Sequence, residues 1–157
     1  MEKEEYEPQI VAFLCNWCSY MGANMAGTNR LKYPANVKPV RVMCSGRVDP
    51  LFILHAFHSG ADGVLVSGCH PGDCHYIKGN LYMRRRMAIL RKLLEYVGIE
   101  PERLQVSWIS AAEPQKFTEV VTKITEDVKR LGPLKQLIEL PQREFKKAEE
   151  IEVEVKE

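Results

Sequence analysis

Short apolar runs recur along the chain and predict its strands. Three of them are Ile10–Leu14, the segment VRVM at 40–43 and GVLVSG at 63–68, and a fourth, LQVSWIS at 104–110, resembles them. The runs are rich in Val, Ile and Leu, and the first three do not alternate strictly between apolar and polar positions. This pattern is typical of parallel strands that are covered on both faces. We therefore predict four buried parallel strands.

Segments with helical spacing lie between these runs. Asp49-Pro50 predicts the start of a helix that Gly60 closes, and Glu113-Pro114 predicts another that extends to about Leu131. The segment 78–97 has apolar residues near a period of 3.6, followed by Gly98. They are Leu81, Met83, Met87, Leu90, Leu94 and Val97.

This alternation of strands and helices predicts a single-domain α/β fold. Right-handed crossovers give an open parallel four-stranded sheet with helices on both faces, and we expect the flavodoxin-like strand order 2-1-3-4. We divide the chain into an N-terminal extension (1–8), the α/β domain (9–131) and a charged C-terminal tail (132–157). The tail is either solvated or an arm that docks on a partner.

Composition and charge exclude several classes of partner. The 157 residues include 22 Lys and Arg against 21 Asp and Glu, so no global field attracts nucleic acid or an anionic membrane. The N-terminus, MEKEEYEPQ, lacks the basic and then apolar pattern of a secretory signal, and the apolar runs are too short to span a bilayer. We expect a cytoplasmic protein with neither a nucleic-acid nor a membrane partner.

Five cysteines are grouped where the predicted strands end. Cys15, Cys44 and Cys69 each follow a strand, Cys18 lies at the start of the first helix, and Cys74 lies in the loop after the third strand. Parallel strands direct their carboxyl ends to one edge of the sheet, where open α/β folds build their sites. In a reducing compartment, clustered thiols more often bind metal than form disulfides. We predict that all five thiols converge on a metal site.

The spacing of the cysteines favours an iron–sulfur centre over zinc. Both take four thiolates, but zinc sites usually combine two short CxxC knuckles, and here only Cys15 and Cys18 have that spacing. A zinc-stabilised interaction module and a CxxC thiol oxidoreductase remain alternatives. His70 and His75 directly follow cysteines, unlike the ligands of Rieske centres. We expect these histidines and Trp17 beside the centre rather than bound to metal.

Three cysteine motifs resemble a known family. FLCNWCSYMGANMAG, VRVMCSGRVDP and GVLVSGCHPGDCHYIKGN are similar to segments of the methyl-viologen-reducing hydrogenase delta subunit, over about residues 8–131. The resemblance implies a non-catalytic electron-transfer subunit with one 2Fe–2S cluster in a hetero-oligomeric complex of methanogenic archaea. It implies that electrons pass from the hydrogenase small subunit, or from a formate dehydrogenase module, to the FAD-containing subunit of heterodisulfide reductase for flavin-based electron bifurcation.

The 2Fe–2S cluster implied by the resemblance takes four ligands, so five thiols leave one over. We expect Cys15, Cys44, Cys69 and Cys74 to bind and Cys18 to be the spare, although CxxC is itself a good chelate for one iron. Arg84–Arg86 form either a solvated helix face or a contact surface for an acidic protein partner.

Overall fold

The apolar runs form one parallel sheet in the computed structural model, which describes residues 6–134. Its strands are β1 (Ile10–Cys15), β2 (Val37–Val42), β3 (Gly63–Gly68) and β4 (Leu104–Trp108). Its helices are α1 (Ser19–Thr28), α2 (Pro50–His58), α3 (Gly79–Tyr96) and α4 (Pro114–Leu131). The strands are ordered β2-β1-β3-β4 and every neighbouring pair is parallel. The predicted fold class and strand order are confirmed.

Burial on both faces holds for the central strands only. β1 and β3 are almost wholly buried, but β2 is largely exposed, with Val40 at 40%. The prediction of burial is therefore wrong for β2, and it is only partly met in β4. Both are edge strands with a neighbour on one side. Pro39 is a signal of this position, because a residue without an N–H is tolerated in a sheet mainly at its edge.

Two helical layers cover the sheet and enclose two separate cores. α1 and α4 pack on one face, where Leu14 and Leu65 meet Val121 of α4. α2 and α3 pack on the other face. The helical spacing predicted for α3 is borne out by buried Met83, Met87, Leu90 and Leu94, while Leu81 and Val97 lie outside this core. Among the described residues, no helix is long and apolar enough to cross a membrane.

A buried arginine ties the end of α4 to the amino edge of the sheet. Arg103 is 1% exposed, pairs with Glu100 at 2.7 Å, and donates to the carbonyl oxygens of Asp62 (3.0 Å) and Gly132 (2.9 Å). The Asp62 carboxylate also accepts from the backbone N–H of Leu134 at 3.0 Å. The first residues of the predicted tail are therefore anchored. Its remainder, residues 135–157, and the first five residues of the chain lie outside the described part.

Candidate metal centre

The strand ends bring the cysteines to one edge of the sheet. Cys15 is the last residue of β1, Cys69 directly follows β3, and Cys44 lies two residues beyond β2. Cys18 is the N-cap of α1, and Cys74 lies in the loop between β3 and α3. All five thiols are reduced and buried, with exposures between 1% and 9%. The strand ends therefore place the five cysteines at the same edge of the sheet, where their side chains are largely shielded from solvent.

Three of the thiols form a tight group, which we call the triad: Cys15, Cys18 and Cys69. Their sulfur atoms all lie within 4.8 Å of one another, and the Cys15 and Cys69 sulfurs are 3.9 Å apart. Two thiolates on one tetrahedral metal ion, with bonds of about 2.3 Å, would be about 3.8 Å apart. The triad therefore fits a thiophilic metal with little movement. Within the described residues, no imidazole belongs to this group.

The other two cysteines lie around the first residue of α3. A Cβ placed on Gly79 would overlap the Cys44 sulfur and come within 3.4 Å of the Cys74 sulfur. Likewise, a Cβ on Gly46 would lie 2.6 Å from the Gly79 carbonyl oxygen. The backbone at the start of α3 therefore packs directly on the Cys44 loop. Sequence reasoning missed both glycines, although a glycine at the start of a helix, where a capping residue is usual, is a signal.

A backbone N–H donates to one of the sulfur atoms: Gly46 donates to the Cys44 sulfur at 3.4 Å. The backbone of His75 partly offsets the rise in the pKa of Cys69 that burial causes. The backbone of Trp17 and Ser45 adds to the effect of Cys18 in lowering the pKa of Cys15. Such donors stabilise thiolate over thiol and, in a metal site, offset the negative charge of the ligands.

The thiols of the triad differ in their pKa values. The interaction between the Cys18 and Cys15 thiols lowers the pKa of Cys15 to about 6, and the same interaction raises the pKa of Cys18. Burial raises the pKa of Cys69, and it raises that of Cys44 to about 11. Cys15 is thus the first thiol to become a thiolate, and Cys18 is the one that keeps its proton.

Aromatic side chains cover the thiols on the solvent side. The Trp17 ring stacks on the His75 ring, with centroids 3.8 Å apart, and its indole N–H donates to the Tyr76 hydroxyl at 3.3 Å. Trp17 is 45% exposed, so it does not belong to the hydrophobic core. Trp17 and His75 line a cleft together with Cys18 and Cys69.

His70 lines the same cleft as Trp17 and His75 and is held by the residue that precedes α4. Its Nε2 is 2.7 Å from the carboxylate of that residue, Glu113. The bond to His70, together with one from the Ser110 backbone N–H, lowers the pKa of Glu113. A cleft of about 230 Å³ opens here beside the triad. It is lined by Trp17, Cys18, Cys69, His70, Asp73, His75, Ser110 and Ala111.

Two buried polar side chains hold the strand ends in register. Ser19 Oγ accepts from the Cys15 backbone N–H at 2.9 Å and donates to the Ser67 carbonyl oxygen at 3.0 Å. Asn80 Nδ2 donates to the carbonyl oxygens of Cys69 at 2.9 Å and His70 at 2.8 Å. Sequence reasoning missed both, because their partners are up to 48 residues away.

Comparison with known proteins gives one consistent group of relatives. A family model described as methyl-viologen-reducing hydrogenase, delta subunit, matches residues 10–132, which include all five cysteines. The chain is 55% identical over 132 residues to an iron-sulfur subunit of F420-non-reducing hydrogenase from Archaeoglobus profundus, covering 84% of this chain and 96% of that protein. It is 52% identical over 130 residues to the vhc iron-sulfur subunit of F420-non-reducing hydrogenase from Methanococcus voltae, covering 83% and 90%.

A longer relative contains a similar segment. Over 127 residues the chain is 46% identical to one of the subunits of ferredoxin:CoB-CoM heterodisulfide reductase from Methanosarcina mazei. This match covers 81% of the present chain but only 16% of that relative. A unit similar to the whole described fold is therefore part of a much larger polypeptide there.

Proposed function

Because this chain belongs to the methyl-viologen-reducing hydrogenase delta subunit family, as its motifs predicted, we propose that it is an electron-transfer subunit carrying one iron–sulfur centre. In finer terms, the centre is a 2Fe–2S cluster. The donor is the hydrogenase small subunit or a formate dehydrogenase module, and the acceptor is a FAD-containing subunit of heterodisulfide reductase that performs electron bifurcation. The chain itself carries out no bond chemistry on a substrate.

The buried cluster of five thiols is the observation that carries this proposal. The Cys15 and Cys69 sulfurs, 3.9 Å apart, have the separation of two ligands on one iron. Cys44 and Cys74, the two thiols beside Gly79, are then the pair for a second iron. Cys18 remains as the third thiol of the triad. A bound 2Fe–2S cluster would supply reversible one-electron chemistry, while the chain buries the cysteines and directs the Gly46 N–H at the Cys44 sulfur.

The relatives support the choice of partners. Those close to this domain in length are named as hydrogenase subunits. The longer Methanosarcina mazei relative, named as part of a heterodisulfide reductase, has a similar unit within its own polypeptide. A unit of this kind inside a heterodisulfide reductase polypeptide is consistent with the present chain working beside a separate heterodisulfide reductase.

One alternative has a structural observation in its favour. The triad alone suits a single tetrahedral ion, so a zinc-stabilised interaction module is the second candidate. A thiol oxidoreductase is disfavoured, although the pKa of Cys15 is lowered to about 6. Cys15 and Cys18 are only 1% and 5% exposed, and a disulfide substrate must reach the attacking sulfur.

Metal analysis of the purified chain tests the proposal. Anaerobic purification is expected to give a coloured protein with equal amounts of iron and acid-labile sulfide. Its reduction by one electron should produce a paramagnetic resonance signal. A colourless protein with stoichiometric zinc and no sulfide would instead establish the interaction module.

The arginine-rich segment of α3 gives a prediction about partner binding. Arg86 Nη1 donates to the Gly46 carbonyl oxygen at 2.7 Å, so Arg86 supports the Cys44 loop and is left unchanged. Exposed Arg84 and Arg85 are changed to Glu. If they face an acidic partner, electron transfer to the partner should slow about tenfold at low ionic strength, with a smaller difference in high salt.

Stopped-flow transfer rates at several ionic strengths measure this effect. The control is Arg130→Glu, because Arg130 is an exposed residue of α4 on the opposite face of the sheet. The resonance spectrum of the cluster should be unchanged in all variants. Equal rates for the Arg84/Arg85 variant and the wild type at every ionic strength would mean that these arginines form a solvated face.

A further inference from the structure

The side chain of Ser45 is buried without a hydrogen-bond partner. The residue is 1% exposed, and its hydroxyl oxygen contacts no donor or acceptor among the described residues. Burying an unpaired hydroxyl is costly, and such groups in native proteins need an explanation. Ser45 Oγ is therefore a polar atom whose partner is not supplied by the described part of the fold.

The surroundings of this hydroxyl are the segments that carry the thiols. Ser45 directly follows Cys44, and the Cys15 thiol donates to the carbonyl oxygen of Met43, two residues before Ser45, at 3.8 Å. Its Oγ packs against Gly68, the residue before Cys69, so closely that a Cβ on Gly68 would overlap it. The hydroxyl is thus enclosed by the backbone near three of the proposed ligands and is shielded from solvent.

Other buried serines at this edge are paired. Ser19 Oγ donates to the Ser67 carbonyl oxygen at 3.0 Å, and Ser67 Oγ donates to the Ser107 carbonyl oxygen at 3.2 Å. Both bonds link neighbouring segments of the sheet. Among these three serines, Ser45 is the one whose hydroxyl has no partner in the described part of the chain.

We propose that Ser45 donates its hydroxyl hydrogen to a sulfur of the iron–sulfur centre and so raises the reduction potential of that centre. The inference rests on the proposed function. Reduction adds negative charge to the centre, and a donor aimed at sulfur stabilises the reduced form more than the oxidised form. Gly68, the last residue of β3, has no Cβ. The end of β3 can therefore approach Ser45 closely enough to hold this hydroxyl in place.

The test is the reduction potential of the Ser45→Ala variant, measured on the full-length chain by redox titration followed by paramagnetic resonance. We expect the reduction equilibrium to become about tenfold less favourable, which is about 59 mV for one electron. Ser67→Ala is the matched control, because it removes a neighbouring buried hydroxyl that has a backbone acceptor. It should lower the thermal midpoint and leave the potential unchanged.

Two further measurements separate the hydrogen bond from packing. The exchangeable proton coupled to the reduced centre should disappear in Ser45→Ala, and Ser45→Thr, which keeps a hydroxyl, should retain the wild-type potential. An unchanged potential in Ser45→Ala, or an equal shift in Ser67→Ala, would overturn the inference. Loss of the cluster in both Ser45 variants would also overturn it, since side-chain volume would then be the cause. A wild-type chain without iron and sulfide would instead refute the proposed function.

Discussion

Serine at any one of four cysteines is expected to abolish the iron–sulfur centre, whereas serine at Cys18 should leave the centre assembled. The four are Cys15, Cys44, Cys69 and Cys74. A hydroxyl is a poor ligand for iron that is also held by sulfide, so each exchange leaves one iron without its fourth ligand. The interaction with Cys15 raises the pKa of Cys18, so Cys18 is the triad thiol least ready to bind iron as a thiolate. Its variant should show an altered potential with full iron content.

Iron content and the resonance signal of the reduced protein, measured for all five single variants, decide between ligand sets. Loss of the centre in Cys18→Ser, with a normal centre in Cys44→Ser or Cys74→Ser, would show that the triad supplies three ligands. Loss of zinc from all three triad variants would support the interaction module. Five variants with a normal centre would refute the site itself.

Alanine in place of Gly79 is expected to remove most of the bound iron. The new Cβ would overlap the Cys44 sulfur, so either that thiol must rotate away or the start of α3 must shift. Overpacking of this kind typically costs about 1–3 kcal/mol in the free energy of unfolding. Because the clash is with a proposed ligand, the effect on metal content should exceed the effect on stability.

The control for this variant is Gly27→Ala. Gly27 lies in α1, and a Cβ there would meet no atom within 4 Å. Alanine is favoured over glycine in helices by about 1 kcal/mol, so this variant should be as stable as the wild type or more so, with full iron content. Denaturant unfolding and iron analysis of both variants measure the difference. A Gly79→Ala protein with normal iron would show that the close approach of α3 is not needed to hold the centre.

Much of the fold followed from local pattern. Each strand was marked by an apolar run and each later helix by a proline or glycine boundary, and alternation of the two types restricts the topology strongly. The exposure of β2 was not predicted, because burial depends on which strand lies at the edge. Pro39 within β2 is the local signal of the edge position, because proline lacks the N–H that a central strand needs.

The sequence predicts which edge of the sheet carries the site, but it does not predict how the thiols are arranged there. Cysteines at successive strand ends must converge in a parallel sheet, and the family motifs agree with that placement. The separation into a triad and a pair depends on the path of the loops. The roles of Gly79, Ser45 and Arg86 depend on contacts between segments far apart in the sequence, which no local pattern reveals.

The two hydrophobic cores contain no cysteine, and this has a consequence for how the protein matures. The triad forms a small cluster of its own, apart from the cores on either face of the sheet. Zinc fingers fold only when metal is bound, because metal replaces the core they lack. Here apolar packing alone can order the strand ends. We therefore expect that the chain can fold before a cluster is bound, with its two cores already packed in the metal-free protein.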